Sequence, residues 1–185
     1  SVTLDESVGV DVDDANAEDD DSTTDPFAYG TPIGVVSGVN LVDTTTAVGE
    51  DDEGASTAVT LKIVNGSGTD SGLETTNGTQ IDLFLEADGT VTGRTGGASG
   101  TVIFAISIDS SGNVTVAQYD SLEHPDSPDN YDEAVDLLGK LSAVVTVTDG
   151  DGDVATEEVA IGGLISFEDD GPSASITTVS GASVT

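Results

Sequence analysis

The chain has 185 residues, with 36 Asp or Glu against three basic residues, Lys62, Arg94 and Lys140, giving a formal net charge of −33. Repulsion sets nucleic acid and anionic membrane surfaces aside as partners. With no cysteine there is neither a disulfide nor a cysteine-based zinc site. Hydrophobic residues make up 36% and fall in periodic runs, which predicts a folded core. No apolar stretch approaches the roughly 18 residues of a membrane span, so no membrane insertion is expected. The charge is itself a stability problem. Smeared over a sphere of radius ~21 Å in physiological salt, it repels itself by roughly 30 kcal/mol, against about 5 for the expanded chain. That difference exceeds an ordinary folding stability of about 5–15 kcal/mol. The sequence therefore predicts folding that depends on divalent cations or high salt.

In chain order, Val2–Leu4 is a short strand candidate closed by Asp5-Glu6. Residues 1–30 together read as an acidic entry segment. Within it Asp11 and Asp13 alternate with Val10 and Val12 like a strand edge, and Asp19–Asp21 reads as a solvated charge run. Pro26 and Pro32 bracket a loop around Phe27 and Tyr29. Ile33–Val36, Val39–Val42 and the β-branched, alternating Thr57–Val64 read as strands. The Gly/Ser/Thr/Asn-rich Asn65–Asn77 reads as loop. Ile81–Glu86 and Thr90–Arg94 flank the hairpin signal Asp88-Gly89, and Thr101–Ile108 and Val114–Tyr119 flank a second at Asp109–Asn113. Ser121–Asn130 is polar and carries Pro125 and Pro128. Tyr131–Leu141 is the one predicted helix, with Ala134, Leu137, Leu138 and Leu141 on a single face and Gly139 limiting it to two turns. Ser142–Thr148 and Val154–Ile161 form a third hairpin around Asp149-Gly150-Asp151-Gly152-Asp153. Leu164–Phe167 continues as strand to the stop at Asp170-Gly171-Pro172, and Ser173–Val179 starts another.

About ten short strands with frequent turn signals predict an all-β protein, an antiparallel β-sandwich of Ig-like, Greek-key type with at most one short helix. Residues 1–172 read as one sandwich unit, and 173–185 as a linker and the start of the next unit, because Ser183-Val184-Thr185 repeats Ser1-Val2-Thr3. The expected oligomeric state is a monomer.

Two acidic clusters carry the chemistry. Asp149, Asp151 and Asp153 alternate with glycines that permit a tight path, and such oxygen-rich sets suit Ca²⁺, which takes six to eight oxygen ligands. The stretch is not an EF-hand loop, since positions six and twelve hold Val154 and Ala160. The bland alternative is a hairpin turn that happens to be acidic. Glu168, Asp169 and Asp170 lie where the last strand leaves the unit, and Asp5 and Glu6 lie just after the first strand. A cation shared between the exit of one unit and the start of the next would stiffen the junction. His124, the only histidine, reads as a packing or hydrogen-bonding residue, with a zinc site of His and carboxylates as the weaker alternative. No nucleophile elbow, phosphate loop or dinucleotide fingerprint is present, so no enzyme is predicted.

Several spaced motifs occur in order: Leu4-Asp5-Glu6-Ser7, Val102-Ile103-Phe104, Gly112–Tyr119, Leu122-Glu123-His124-Pro125, Val147–Asp153 and Phe167–Pro172. Together they resemble the long tandem repeats of giant bacterial RTX adhesins exported by type I secretion. The resemblance implies an extracellular protein of the bacterial cell surface, acting in adhesion and biofilm formation. It also implies β-sandwich repeats with Ca²⁺ in and between them, each repeat partnered by its neighbours in the same chain. The expected role is a calcium-stabilised spacer. The alternative is a module that binds a glycan or peptide through Asn65–Asn77 and Ser121–Asn130.

Overall fold

The computed structural model describes residues 1–6, 24–44, 50, 52–125 and 133–169. The acidic run Asp19–Asp21, Asp170, the strand expected at Ser173–Val179 and the boundary at 172/173 lie outside the described residues. The strands are β1 (Val2–Asp5), β2 (Gly34–Asn40), β3 (Ser56–Ile63), β4 (Thr69–Glu74), β5 (Gln80–Leu85), β6 (Val91–Thr95), β7 (Thr101–Ile108), β8 (Asn113–Gln118), β9 (Ala134–Asp136), β10 (Leu141–Thr148), β11 (Val154–Ala160) and β12 (Ile165–Glu168). One six-stranded antiparallel sheet runs β2-β8-β7-β6-β5-β4, and two three-stranded sheets run β11-β10-β3 and β1-β12-β9. The architecture is an all-β sandwich, as the strand spacing predicts.

The core follows from alternation. On β3 the inward residues are Val59, Leu61 and Ile63; on β5 they are Ile81 and Leu83. Of these, Leu61, Ile63, Ile81 and Leu83 join Phe104, Ile106, Val114 and Val116 of the large sheet, and Leu4, Leu141, Ile165 and Phe167 of the small sheets, in one hydrophobic cluster. Phe104 and Phe167 meet across the layers, with ring centroids 5.1 Å apart. Gly93 makes room for this contact, because a Cβ there would lie 2.3 Å from the Phe104 ring.

The chain's first and last described strands pair with each other. β1 and β12 run parallel, Val2 opposite Ile165 and Asp5 opposite Glu168. Every other pair among the described strands is antiparallel.

Three expectations change. Tyr131–Leu141 is not a helix in its described part, 133–141: Ala134–Asp136 is strand β9 on β12, and Leu137 opens a turn closed by the Lys140 amide donating to the Leu137 carbonyl. Leu137 and Leu141 are fully buried, but Leu138 is 72% exposed, so the apparent helical face is not a buried face. Two turns of helix are too few to outweigh sheet pairing. Asn65–Asn77 contains β4, whose polar sequence hides the inward pair Ser71 and Leu73; the buried Ser71 hydroxyl donates to the Ile81 carbonyl at 2.6 Å. The two strands expected around Ser37-Gly38 are one strand, β2, interrupted by a bulge between Val36 and Val39.

Candidate functional site

Four hairpins share one turn design. In 75–79, 86–90, 109–113 and 149–153 the first residue's amide donates to the fifth residue's carbonyl, and the fourth residue's amide donates to the first residue's carbonyl. The fourth residue is always glycine, Gly78, Gly89, Gly112 and Gly152, with φ of 75°, 89°, 81° and 98°. This is the three-residue hairpin loop that needs a left-handed residue. In 149–153 the first aspartate also serves the turn. Asp149 Oδ1 accepts the amides of Gly152 (3.1 Å) and Asp153 (2.8 Å), as Asp109 Oδ1 accepts those of Ser111 and Asn113. Asp149 is held below the usual carboxylate value, first by a hydrogen bond shared with the Asp151 side chain and then by these amides. The turn thus explains Asp149 and Gly152 but not Asp151 or Asp153. Ligand oxygens of Asp149, Asp151 and Asp153 all lie within 4.8 Å of one another. An all-oxygen set of that size fits the donor chemistry of Ca²⁺.

The second cluster comes from the parallel pair. It brings Asp5-Glu6 and Glu168-Asp169 side by side within one unit, and the Glu6 amide donates to the Glu168 carbonyl at 3.4 Å. The sequence alone predicts instead that these acids face each other across the junction of two units. Glu6 turns inward, its side chain only 6% exposed. Its Oε1 accepts Gln118 Nε2 and the Leu122 amide, the latter at 2.7 Å. His124 stands beside it, with Nε2 at 4.0 Å from Glu6 Oε1. Asp169 completes the group: ligand atoms of Glu6, His124 and Asp169 lie within 4.8 Å of one another. The connection after β8 positions His124. Leu122 bridges to Thr75, and the Glu123 amide donates to the Glu74 carbonyl at 2.9 Å. Of the two segments expected to bind an external ligand, Asn65–Asn77 therefore meets the described part of Ser121–Asn130, residues 121–125, at this bridge.

The sequence points to Glu6 and Asp169 as candidate ligands and to His124 first as a packing or hydrogen-bonding residue, with a zinc site of His and carboxylates only as the weaker alternative. The signal was there in part: the only histidine follows the apolar Leu122, and the acids sit at the ends of the first and last strands. What a linear reading lacks is the pairing of β1 with β12.

Arg94, Glu86, Tyr29, Tyr119 and Asp25 form a further polar group on the large sheet. Arg94 Nη2 pairs with Glu86 at 2.8 Å, and the guanidinium carbon Cζ lies 5.5 Å from the centre of the Tyr29 ring. Tyr29 meets Tyr119 edge-on, and the Tyr119 hydroxyl donates to Asp25 at 2.6 Å. This ties the 25–30 loop to the sheet.

Fold and clusters together define a strongly acidic β-sandwich with carboxylate groups gathered at a hairpin turn and at the end of its terminal strand pair. The chain belongs to the family described as a domain of unknown function, DUF5801, which it matches over residues 1–162. No curated protein and no solved structure matches it. Among the described residues no helix is long and apolar enough to cross a membrane.

Proposed function

We propose that this domain is a non-enzymatic, calcium-stabilised spacer repeat of a large bacterial surface adhesin of the RTX type, with Ca²⁺ held at the Asp149–Asp153 turn. The observation that carries the reading is the parallel pairing of β1 with β12. The polypeptide enters and leaves the unit travelling in the same direction, which lets units follow one another head to tail without doubling back. The net charge of −33 supports the calcium part, since each bound ion removes two charges from a compact body that repels itself. Binding to the folded state alone adds stability by mass action. An external glycan or peptide ligand is the second reading; the junction of 65–77 with 121–125 is where it would bind.

The test is thermal unfolding at low ionic strength, with and without a chelator. The midpoint falls by about 10 °C or more on chelation, a few kcal/mol for a domain of this size, and returns on adding Ca²⁺. The combined substitutions Asp151→Asn and Asp153→Asn weaken the response. An unchanged midpoint overturns the calcium part. Small-angle scattering of two units in tandem checks the spacer part: the longest dimension approaches twice that of one unit, whereas a folded-back pair overturns it.

A further inference from the structure

We infer that Glu6, His124 and Asp169 form a binding site for a divalent transition metal of the Zn²⁺ class, distinct in chemistry from the all-oxygen turn cluster. His124 is the deciding residue. Its ring is 1% exposed, yet neither Nδ1 nor Nε2 has a hydrogen-bond partner. An imidazole always carries at least one N–H donor, and a buried ring normally satisfies both nitrogens. A ring that packs merely as an apolar group has no reason to stand 4.0 Å from a buried carboxylate.

That separation is too long for a hydrogen bond and lies within about half an ångström of the roughly 3.3–3.6 Å between two ligands of a tetrahedral ion bound at about 2.0–2.2 Å. Asp169 supplies a second carboxylate within the same 4.8 Å group, so small side-chain shifts bring all three onto one centre. The donor set selects the metal class. Ca²⁺ takes oxygen ligands, whereas imidazole with carboxylates suits Zn²⁺ and its neighbours. A dication also balances the two carboxylates, one of them buried.

The surroundings match a prepared site. Gln118 is fully buried, and its Nε2 donates to Glu6 Oε1 and to the Asp120 carbonyl at 3.1 Å. These two acceptors fix which end of the amide is nitrogen, and they orient the Glu6 carboxylate as an outer-shell donor does in metal sites. Gln118 Oε1 is left without a partner in the same buried place, and a water on the ion is a donor of the kind it lacks. The three ligands come from the end of β1, the connection after β8 and the end of β12, so one ion would join the two terminal strands to the body.

Because His124 is the only histidine, its imidazole ¹⁵N resonances report on this site alone. The experiment titrates chelator-stripped protein with Zn²⁺ in saturating Ca²⁺, following those resonances and the heat of binding. One equivalent of Zn²⁺ binds, one ring nitrogen shifts to the metal-bound range, and Ca²⁺ alone leaves the ring unmoved. His124→Gln lowers the Zn²⁺ affinity at least about 100-fold, more than loss of an outer-shell partner does, while the Ca²⁺ response of the turn persists. Should that variant fail to fold, the wild-type resonances decide. Imidazole signals that ignore Zn²⁺, move equally with Ca²⁺, or show both nitrogens protonated at neutral pH as an ion pair with the carboxylates overturn the inference.

Discussion

Asp25 shows how one side chain can anchor a loop. Burial pushes its carboxyl up, but the Tyr119 hydroxyl and the amides of Gly30 and Phe27 more than offset this, and the net value lies below the ordinary 3.8. Burial first, and then the hydrogen bond to Asp25, push the Tyr119 hydroxyl well above its usual value, so it remains a donor across the accessible pH range. A carboxylate with a lowered folded value contributes stability that is fully present above 3.8 and is lost as the pH falls through the folded value. Tyr119→Phe should therefore raise the Asp25 titration towards 3.8 and cost about 1–2 kcal/mol at neutral pH. Carboxyl ¹³C titration with urea unfolding checks both; an Asp25 curve that does not move would show the hydroxyl to be incidental. The loop around Pro26 is visible in the sequence, but the bond from Tyr119 to Asp25, 94 residues away, is not.

At the scale of elements, the repeated hairpin turn separates backbone strain from steric contact. Gly112 and Gly152 hold the same position in two turns, at φ of 81° and 98°. A Cβ on Gly112 would lie 2.0 Å from the Val42 carbonyl oxygen, whereas one on Gly152 meets nothing within 4 Å. Gly152→Ala should cost about 1–2 kcal/mol from the left-handed conformation alone. Gly112→Ala should cost more, by about 1–3 kcal/mol of added crowding, and loosen the amides of Leu41 and Val42 that donate to the Gly112 carbonyl. Paired denaturant curves test this, and equal losses would count against it. Three of the four turns were legible because glycine follows polar residues between β-branched runs. The fourth, at Thr75–Thr79, was hidden because β4 before it is mostly polar and buries only Ser71 and Leu73. β9 is hidden for a different reason: Leu137 and Leu141 fall at a spacing that a helix and a strand-turn-strand both satisfy. Pairing with β12, remote in sequence, decides between them.

At the scale of the molecule, the sandwich class was readable from alternation and turn spacing, both local properties. The meeting of Glu6, His124 and Asp169 was not, because it depends on β1 finding β12 at the far end of the chain. Long-range closure of this kind also fixes how the unit responds to force. Tension applied at Ser1 and beyond Asp169 pulls β1 backward and β12 forward along a common axis. All four register pairs, Val2 with Ile165 through Asp5 with Glu168, are then loaded in shear and must break together, whereas a hairpin pulled at its two ends unzips one bond at a time. Single-molecule pulling along this axis should give one high rupture event per unit, raised by Zn²⁺ if the ion ties Glu6 to Asp169; a low, gradual release would contradict shear loading. Four residues of β1 and four of β12 thus form a shear clasp, strongest against tension drawn along the shared strand axis.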